Sequence, residues 1–351
     1  MAIIEQTLAH IRPVSSEWRM KAQERLDSLT KPKGSLGRLE ELAARVVAVR
    51  EEERPSLEKR EVFVFVGDHG VVSDGVSAYP QEVTALMVNN FLSGGAAINV
   101  LARSVGAEVS VIDVGMKERL AGAEGLIDRN VRRGTGNIAV ERAMELSEAR
   151  SALEAGIEMA SRAHAEGMAM VATGEMGIGN TTPSAALLSV LLPADIKAVT
   201  GKGTGLDDEG VRHKIQVIEK AVSVNKPASN DPLGALAALG GLEIAGICGL
   251  CLGGAAHRML VVVDGFISTA GALVAMRLNP AVTDCLFFAH QSSESGHRVF
   301  FEKEGIRPIL DLGMRLGEGT GAALAMQVID NSLKIYNEMA TFEDVGITPG
   351  A

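Results

Sequence analysis

Residues 171–192, VATGEMGIGNTTPSAALLSVLL, run through a strand, a glycine turn and a helix in that order. The apolar run closes on Gly174. Glu175, Met176, Gly177 and Gly179 carry the turn, and Asn180, Thr181 and Thr182 lead into Pro183, which a helix accepts in its first turn. Outward from this unit the alternation recurs in EVFVFVGDHG (61–70), AEVSVIDVG (107–115), HRMLVVVDGF (257–266) and DCLFFAHQSSESG (284–296), with helical stretches between them. Continuous apolar strands separated by helices specify an α/β fold with a parallel sheet covered on both faces.

Each strand runs out into a polar or glycine-bearing turn: Asp68 with His69, Asp113, Glu175, Asp264, and His290 with Ser292 and Ser293. Ligands of open parallel sheets bind beyond the carboxyl ends of the strands, so these tips mark the expected binding edge. Asp113 and Asp264 are also placed to cap a helix. Before the first strand, SSEWRMKAQERLDSLTK (15–31) and GRLEELAARVVAVREEERP (37–55) have helical periodicity, so two amphipathic helices are expected there. The basic loop KPKGSLG (31–37) between them is a connector or an arm toward an anion. The helices of the two termini are expected to pack as a small domain, residues 1–58 with 301–351, beside a large α/β domain at 59–300.

A formal charge of −10 argues against a nucleic-acid or anionic-membrane surface, which needs clustered Lys and Arg. The most apolar region (242–276) is broken by Glu243, His257, Arg258 and Asp264 into runs shorter than the roughly 20 residues of a membrane span. No basic flank followed by an apolar block opens the sequence, and 3 cysteines make no disulfide framework, so the cytoplasm is expected. Cys248 and Cys251 form a C-x-x-C inside an apolar segment, without a second pair at zinc spacing. His69, His290 and His297 likewise lack ligand spacing and are expected to make hydrogen bonds at strand ends; no metal and no cofactor are expected. The 39 glycines exceed the usual share of about 7% and ask for an explanation.

The turn at 174–182 offers backbone amides and a helix amino terminus to a phosphate, yet it is neither the dinucleotide fingerprint nor a Walker A sequence. A second glycine loop, VTGKGTGLDDEGVRHKIQVI (199–218), places Gly201, Gly203 and Gly205 ahead of a helix carrying Lys214, a point charge for a phosphate or an ordinary surface residue. Together they point to a phosphorylated small substrate. On these residues alone the choice stays open between an oxidoreductase, a group-transfer enzyme and a non-catalytic binding protein. The missing fingerprint after the first strand weighs against hydride transfer.

One more segment, MRLGEGTGAALAM (314–326), sets a lone carboxylate, Glu318, between two glycines just before an alanine-rich helix. With KPKGSLGRLE, GDHGV, VIDVG, RGTGNIAV, GEMGIGNTTPSAA and VDGFIS, it closely resembles the nicotinate-nucleotide:dimethylbenzimidazole phosphoribosyltransferase family of cobalamin assembly, over nearly the whole chain. The resemblance implies a Rossmann-like sheet with a small helical domain from both termini, a homodimer, and small-molecule substrates. The implied reaction moves the phosphoribosyl group of nicotinate mononucleotide to an aromatic base. Glu318 matches the family's general base, and Glu175 a second pocket glutamate whose role is electrostatic or positional. By position, Tyr79, Met87 and Met176 face the planar base; Gly177, Asn180, Thr181, Gly203 and Lys214 lie near the phosphate; Asp264 and Ser292 neighbour the sugar. Some relatives carry Ser and Gln in place of Tyr79 and Met87, which leaves the preferred base open.

Overall fold

The computed structural model describes residues 3–120 and 122–347. Three helices, α1 (Ile3–His10), α2 (Ser16–Ser28) and α3 (Arg38–Arg50), precede β1 (Arg60–Gly67). Then come α4 (Val83–Leu92), α5 (Ala97–Ser104), β2 (Glu108–Gly115), β3 (Leu126–Asp128), α6 (Leu146–Ala165), β4 (Met170–Met176) and α7 (Thr181–Leu191). The chain continues through α8 (Ile196–Val199), α9 (Asp208–Asn225), α10 (Pro232–Leu239), α11 (Leu242–Ala256), β5 (Leu260–Val263) and α12 (Phe266–Leu278). It closes with β6 (Leu286–Phe288), α13 (Ser295–Glu304) and α14 (Thr320–Glu338).

All strand pairs are parallel, in the order β3-β2-β1-β4-β5-β6. The order reverses between β1 and β4, the position at which a doubly wound sheet opens a crevice at its carboxyl edge. Every residue of β1 is buried, because helices cover both faces of the sheet. Side chains alternate along a strand. Phe65 fills the space beside Gly246 of α11, whereas Val62 and Val64, on the other face, meet Gly319 and Gly174 under the start of α14. All five expected strands are present. The sixth, β3, is a three-residue edge strand too short to leave an apolar run in the sequence.

The glycine surplus is partly explained where α6 crosses α11. A Cβ on Gly156 would lie 1.9 Å from the Gly246 carbonyl oxygen, and one on Gly249 equally close to that of Leu153, so the backbones touch directly. Cys248 and Cys251 lie on this helix, fully buried, and burial holds both thiols protonated. They pack as small apolar residues.

The terminal segments do meet. α2 and α14 both pack on α3, Leu29 pairs with Thr341, and Arg25 Nε donates to the Tyr336 carbonyl at 2.8 Å. Three helices rather than two precede the sheet, however. The additional one, α1, sits on α6 and α11 of the large domain. The expected boundary after residue 300 falls inside α13, and α14 belongs to both parts, its first turns lying against β4 and β5. The loop at 31–37 is a connector: Lys31 is buried in an ion pair with Glu40 at 2.8 Å, and Glu40 also accepts the Leu36 amide. Val83–Ser104 has the length and apolarity of a membrane span by composition, but it divides at residues 93–96 into α4 and α5, which pack on the sheet.

Candidate active site

At the β1/β4 reversal the carboxyl edge opens into a cavity of about 690 Å³. Among the expected residues, Glu175, Met176, Gly177, Asn180, Thr181, Gly203, Ser292, Tyr79, Met87 and Glu318 line it. Lys214 and Asp264 do not.

Glu318 owes its place to the glycines around it. Residues 317–319 all have positive φ, at 85°, 65° and 93°, so the chain makes a left-handed turn that glycine adopts freely and glutamate does not. This turn lies directly across β4: a Cβ on Gly174 would come within 2.5 Å of the Glu318 carbonyl oxygen. The side chain is 5% exposed, and its Oε2 is buried without a partner. Burial raises the Glu318 pKa, opposed by the Ile98 amide at the start of α5. A carboxylate so placed is a base with a spare acceptor, held at a conformational cost.

Glu175 stands at the end of β4, where Asn180 donates its amide to Oε2 and Oε1 fills the space beside Gly317. Burial first, then the charges of Asp264, Glu243 and Glu318, push its pKa up to about 8. With these neighbours alone, at neutral pH, it is mostly the neutral acid. Beneath it, the His69 ring pairs with Glu243 at 2.7 Å, fully buried.

Asp264 is 1% exposed and lies behind the cavity wall rather than in it. It caps α14 from a distance, Oδ2 accepting the Gly319 amide at 3.2 Å and Oδ1 the Ala322 amide at 2.8 Å. The cap expected for the following helix serves α14, the helix after the Glu318 turn, instead. Lys214 is also interior: Nζ donates to Thr181 Oγ1 at 2.6 Å, and burial lowers its pKa to about 8. Its ammonium stands behind the cavity wall, against Thr181 and the Gly203 backbone. Gly203 lines the cavity, but its N–H is donated to Glu294 Oε1 at 2.9 Å, so that amide is not free for a phosphate. Its positive φ brings the loop within 3.1 Å, as a Cβ would measure it, of Lys214 Nζ.

Part of the cavity lining is apolar: Tyr79, 54% exposed, with Val83, Met87, Met176, Phe266 and Leu316. Of the strand tips, those of β4, β5 and β6 reach the cavity, β5 through Gly265 and Phe266 rather than through Asp264. Asp68 accepts the Lys117 amide and Asp113 those of Gly115 and Met116, so both acids shape turns. His297 is buried neutral, accepting the Ser292 amide at Nδ1 and so donating from Nε2 to Thr269, while His290 lines the cavity with Nδ1 unpartnered. Two charged lining residues were not singled out from sequence, Glu294 and Arg315. Both stand inside segments quoted above, one two residues after Ser292 and the other three residues before Glu318, and that proximity was the available clue.

A family model described as phosphoribosyltransferase matches residues 11–347. The chain belongs to this family. The nicotinate-nucleotide–dimethylbenzimidazole phosphoribosyltransferase of Geobacter sulfurreducens is 56% identical over 350 residues, covering 100% of this chain and 99% of that one. That of Chlorobium chlorochromatii is 54% identical over 345 residues, 98% of each. The crystal structure of CobT from Thermus thermophilus superposes with a TM-score of 0.91 at 47% identity, covering 95% of this chain and 100% of that chain. In this phosphoribosyltransferase the two cavity glutamates have distinct settings, one on a strand end with its pKa pushed up to about 8, the other on a left-handed turn with one carboxylate oxygen unpartnered.

Proposed function

We infer that the protein transfers the 5-phosphoribosyl group of nicotinate mononucleotide to 5,6-dimethylbenzimidazole or a related aromatic base, giving α-ribazole 5′-phosphate and nicotinate for cobalamin nucleotide-loop assembly. One observation carries the mechanism: Glu318 lines the cavity with one carboxylate oxygen left without a hydrogen-bond partner. The pyridinium leaves as a neutral ring and needs no general acid. An attacking benzimidazole bonds through one ring nitrogen and must shed the proton of the other, so one base suffices. Glu318, its pKa raised by burial, takes that proton. The strained turn keeps the carboxylate aimed while most of the segment is pinned by Asp264 and β4.

Glu175 is suited to respond to charge. A cationic nicotinate ring, and then the oxocarbenium-like carbon as the glycosidic bond breaks, favours its ionised form and so draws stabilisation from a group that is otherwise neutral. The amino terminus of α7, with Gly177 and Thr181, faces the phosphate, and Tyr79, Met87 and Met176 hold the flat base. The reading includes a cytoplasmic homodimer. Leu86, Leu312 and Leu316, all well exposed, supply apolar surface for a partner copy.

The test is to mix pure protein with nicotinate mononucleotide and a panel of benzimidazole, purine and phenolic acceptors. Nicotinate release should depend on acceptor and match ribotide formation mole for mole. Release without acceptor dependence would mean hydrolysis.

A further inference from the structure

The GDHGV motif (67–71) supplies no group to the chemistry above, yet its histidine packs against the turn that lines the cavity. His69 is 1% exposed, and its Nε2 lies 2.7 Å from Oε1 of Glu243, fully buried in the first turn of α11. Three glycines leave room for this pair. A Cβ on Gly241 would come within 2.5 Å of both His69 Cε1 and Glu243 Oε2, one on Gly67 within 2.8 Å of that oxygen, and one on Gly177 within 3.3 Å of His69 Nε2. Glu243 Oε2 has no hydrogen-bond partner among the described residues. Such a carboxylate costs stability where an apolar side chain would not, so packing alone does not explain the pair.

The sheet turns this charge toward Glu175. Phe65 of β1 and Glu175 of β4 are register partners and share one face, since side chains alternate along both strands. α11 covers that face: Phe65 fills the space beside Gly246, and Gly67, two residues on, meets Glu243. Glu175 feels the charge of Glu243 together with those of Asp264 after β5 and Glu318 before α14, and it accepts the Asn180 amide from the start of α7. Asp68 adjoins the pair, and His290 stands 3.9 Å from Asp264. Glu318 answers to other groups, its pKa being set by burial, the Ile98 amide and Asp264.

We propose that Glu243, anchored by His69, is a positioning residue for the transfer, placing a fixed buried charge behind Glu175 so that this glutamate responds to the cationic nicotinate ring. In the free enzyme Glu175 keeps its proton, at a pKa of about 8 to which Glu243 contributes after burial and Asp264. The pyridinium of the donor offsets that repulsion, the proton passes to solvent, and the new carboxylate faces the carbon at which positive charge builds. Glu243 touches no substrate and acts through Glu175. The proposal rests on the phosphoribosyl transfer inferred above.

Glu243→Gln keeps the shape and an acceptor for His69 and removes only the charge. The experiment measures kcat/KM for nicotinate mononucleotide across pH 5.5–9.5 (about four units), at saturating dimethylbenzimidazole, in wild type, Glu243→Gln, Glu175→Gln and the double variant. Substrate ionisations are common to all four and cancel. In Glu243→Gln the limb on which kcat/KM rises with pH should move toward acid by about half to one pH unit, a gain of about 3- to 10-fold at the acid end relative to the plateau. Adding Glu243→Gln to Glu175→Gln should leave the limb where it is. If thermal melts show Glu243→Gln unfolded, His69→Leu with Glu243→Met replaces both partners by apolar groups, an exchange that buried pairs tolerate, and should move the limb the same way. An equal loss of rate at every pH, with the limb unmoved, would make the pair purely structural and overturn the proposal. A limb that moves just as far without Glu175 would place the effect on another group and overturn it too. If wild type releases no nicotinate in the presence of acceptor, the functional reading itself fails, before any variant is compared.

Discussion

Replacing Glu318 by glycine should make the protein more stable while abolishing most of its activity. At φ 65° a glutamate costs about 1–2 kcal/mol relative to glycine. A buried carboxylate oxygen without a partner adds roughly 1–3 kcal/mol that the variant no longer bears. Against this, glycine loses about 0.5–1 kcal/mol through its freer unfolded chain, and two buried methylenes forfeit roughly 1.6 kcal/mol. The balance centres near 1 kcal/mol of stabilisation, or about 1.4 °C in Tm for a chain of this size. Because burial raises the Glu318 pKa, its ionisation destabilises the fold above the unfolded-state pKa, so the gain should be larger at pH 8 than at pH 4.5. Lys226→Gly is the control: Lys226 is exposed with φ 44° at the end of α9, so that change relieves strain alone, by about 0.5–1 kcal/mol. Calorimetry and chemical denaturation of both variants at the two pH values give the comparison. A fall of several degrees for Glu318→Gly would show that the carboxylate holds the turn together, and would refute its reading as a strained functional group.

Other perturbations separate the parts of the site. Glu175 has a folded pKa of about 8, above its unfolded value, so it contributes stability that is complete below about pH 4.3 and is lost as pH rises through 8. Glu175→Gln should therefore gain Tm relative to wild type progressively between pH 5 and 8.5, which parallel melts would show; a constant difference would contradict the assignment. Gly174→Ala puts a methyl against the Glu318 carbonyl at 2.5 Å, so kcat should drop at least about tenfold while the mononucleotide Kd, by calorimetric titration, changes little. Tyr79→Ala should raise KM for the aromatic acceptor about 2- to 12-fold, the worth of one stacking contact, without moving KM for the donor. Steady-state kinetics with each substrate varied in turn would decide it.

The strands and their parallel order were legible because burial on both faces forces unbroken apolar runs, as in EVFVFV and LVVV. Short elements without such a run, β3 and α1, left no periodicity to read. The Glu318 turn was visible as a carboxylate framed by glycines. What the sequence could not show was which polar residue turns inward. Asp264 looks like every other acid at a strand end, yet its partners lie 55 and 58 residues away on α14. Lys214 reads as a surface lysine because the helical pattern around it is amphipathic, and only the packing of Thr181 and the glycine loop makes its site interior. Arg315 and Glu294 acquire meaning only when the 201–205 loop is folded between them.

The central claim is that Glu318 removes one proton from the acceptor base. Single-turnover formation of α-ribazole 5′-phosphate, measured in wild type and in Glu318→Gln with enzyme in excess over nicotinate mononucleotide, addresses it most directly. The rate in the variant should be lower by about 10²- to 10⁴-fold, with the mononucleotide Kd within about threefold of wild type. Turnover of the variant at close to the wild-type rate would contradict it.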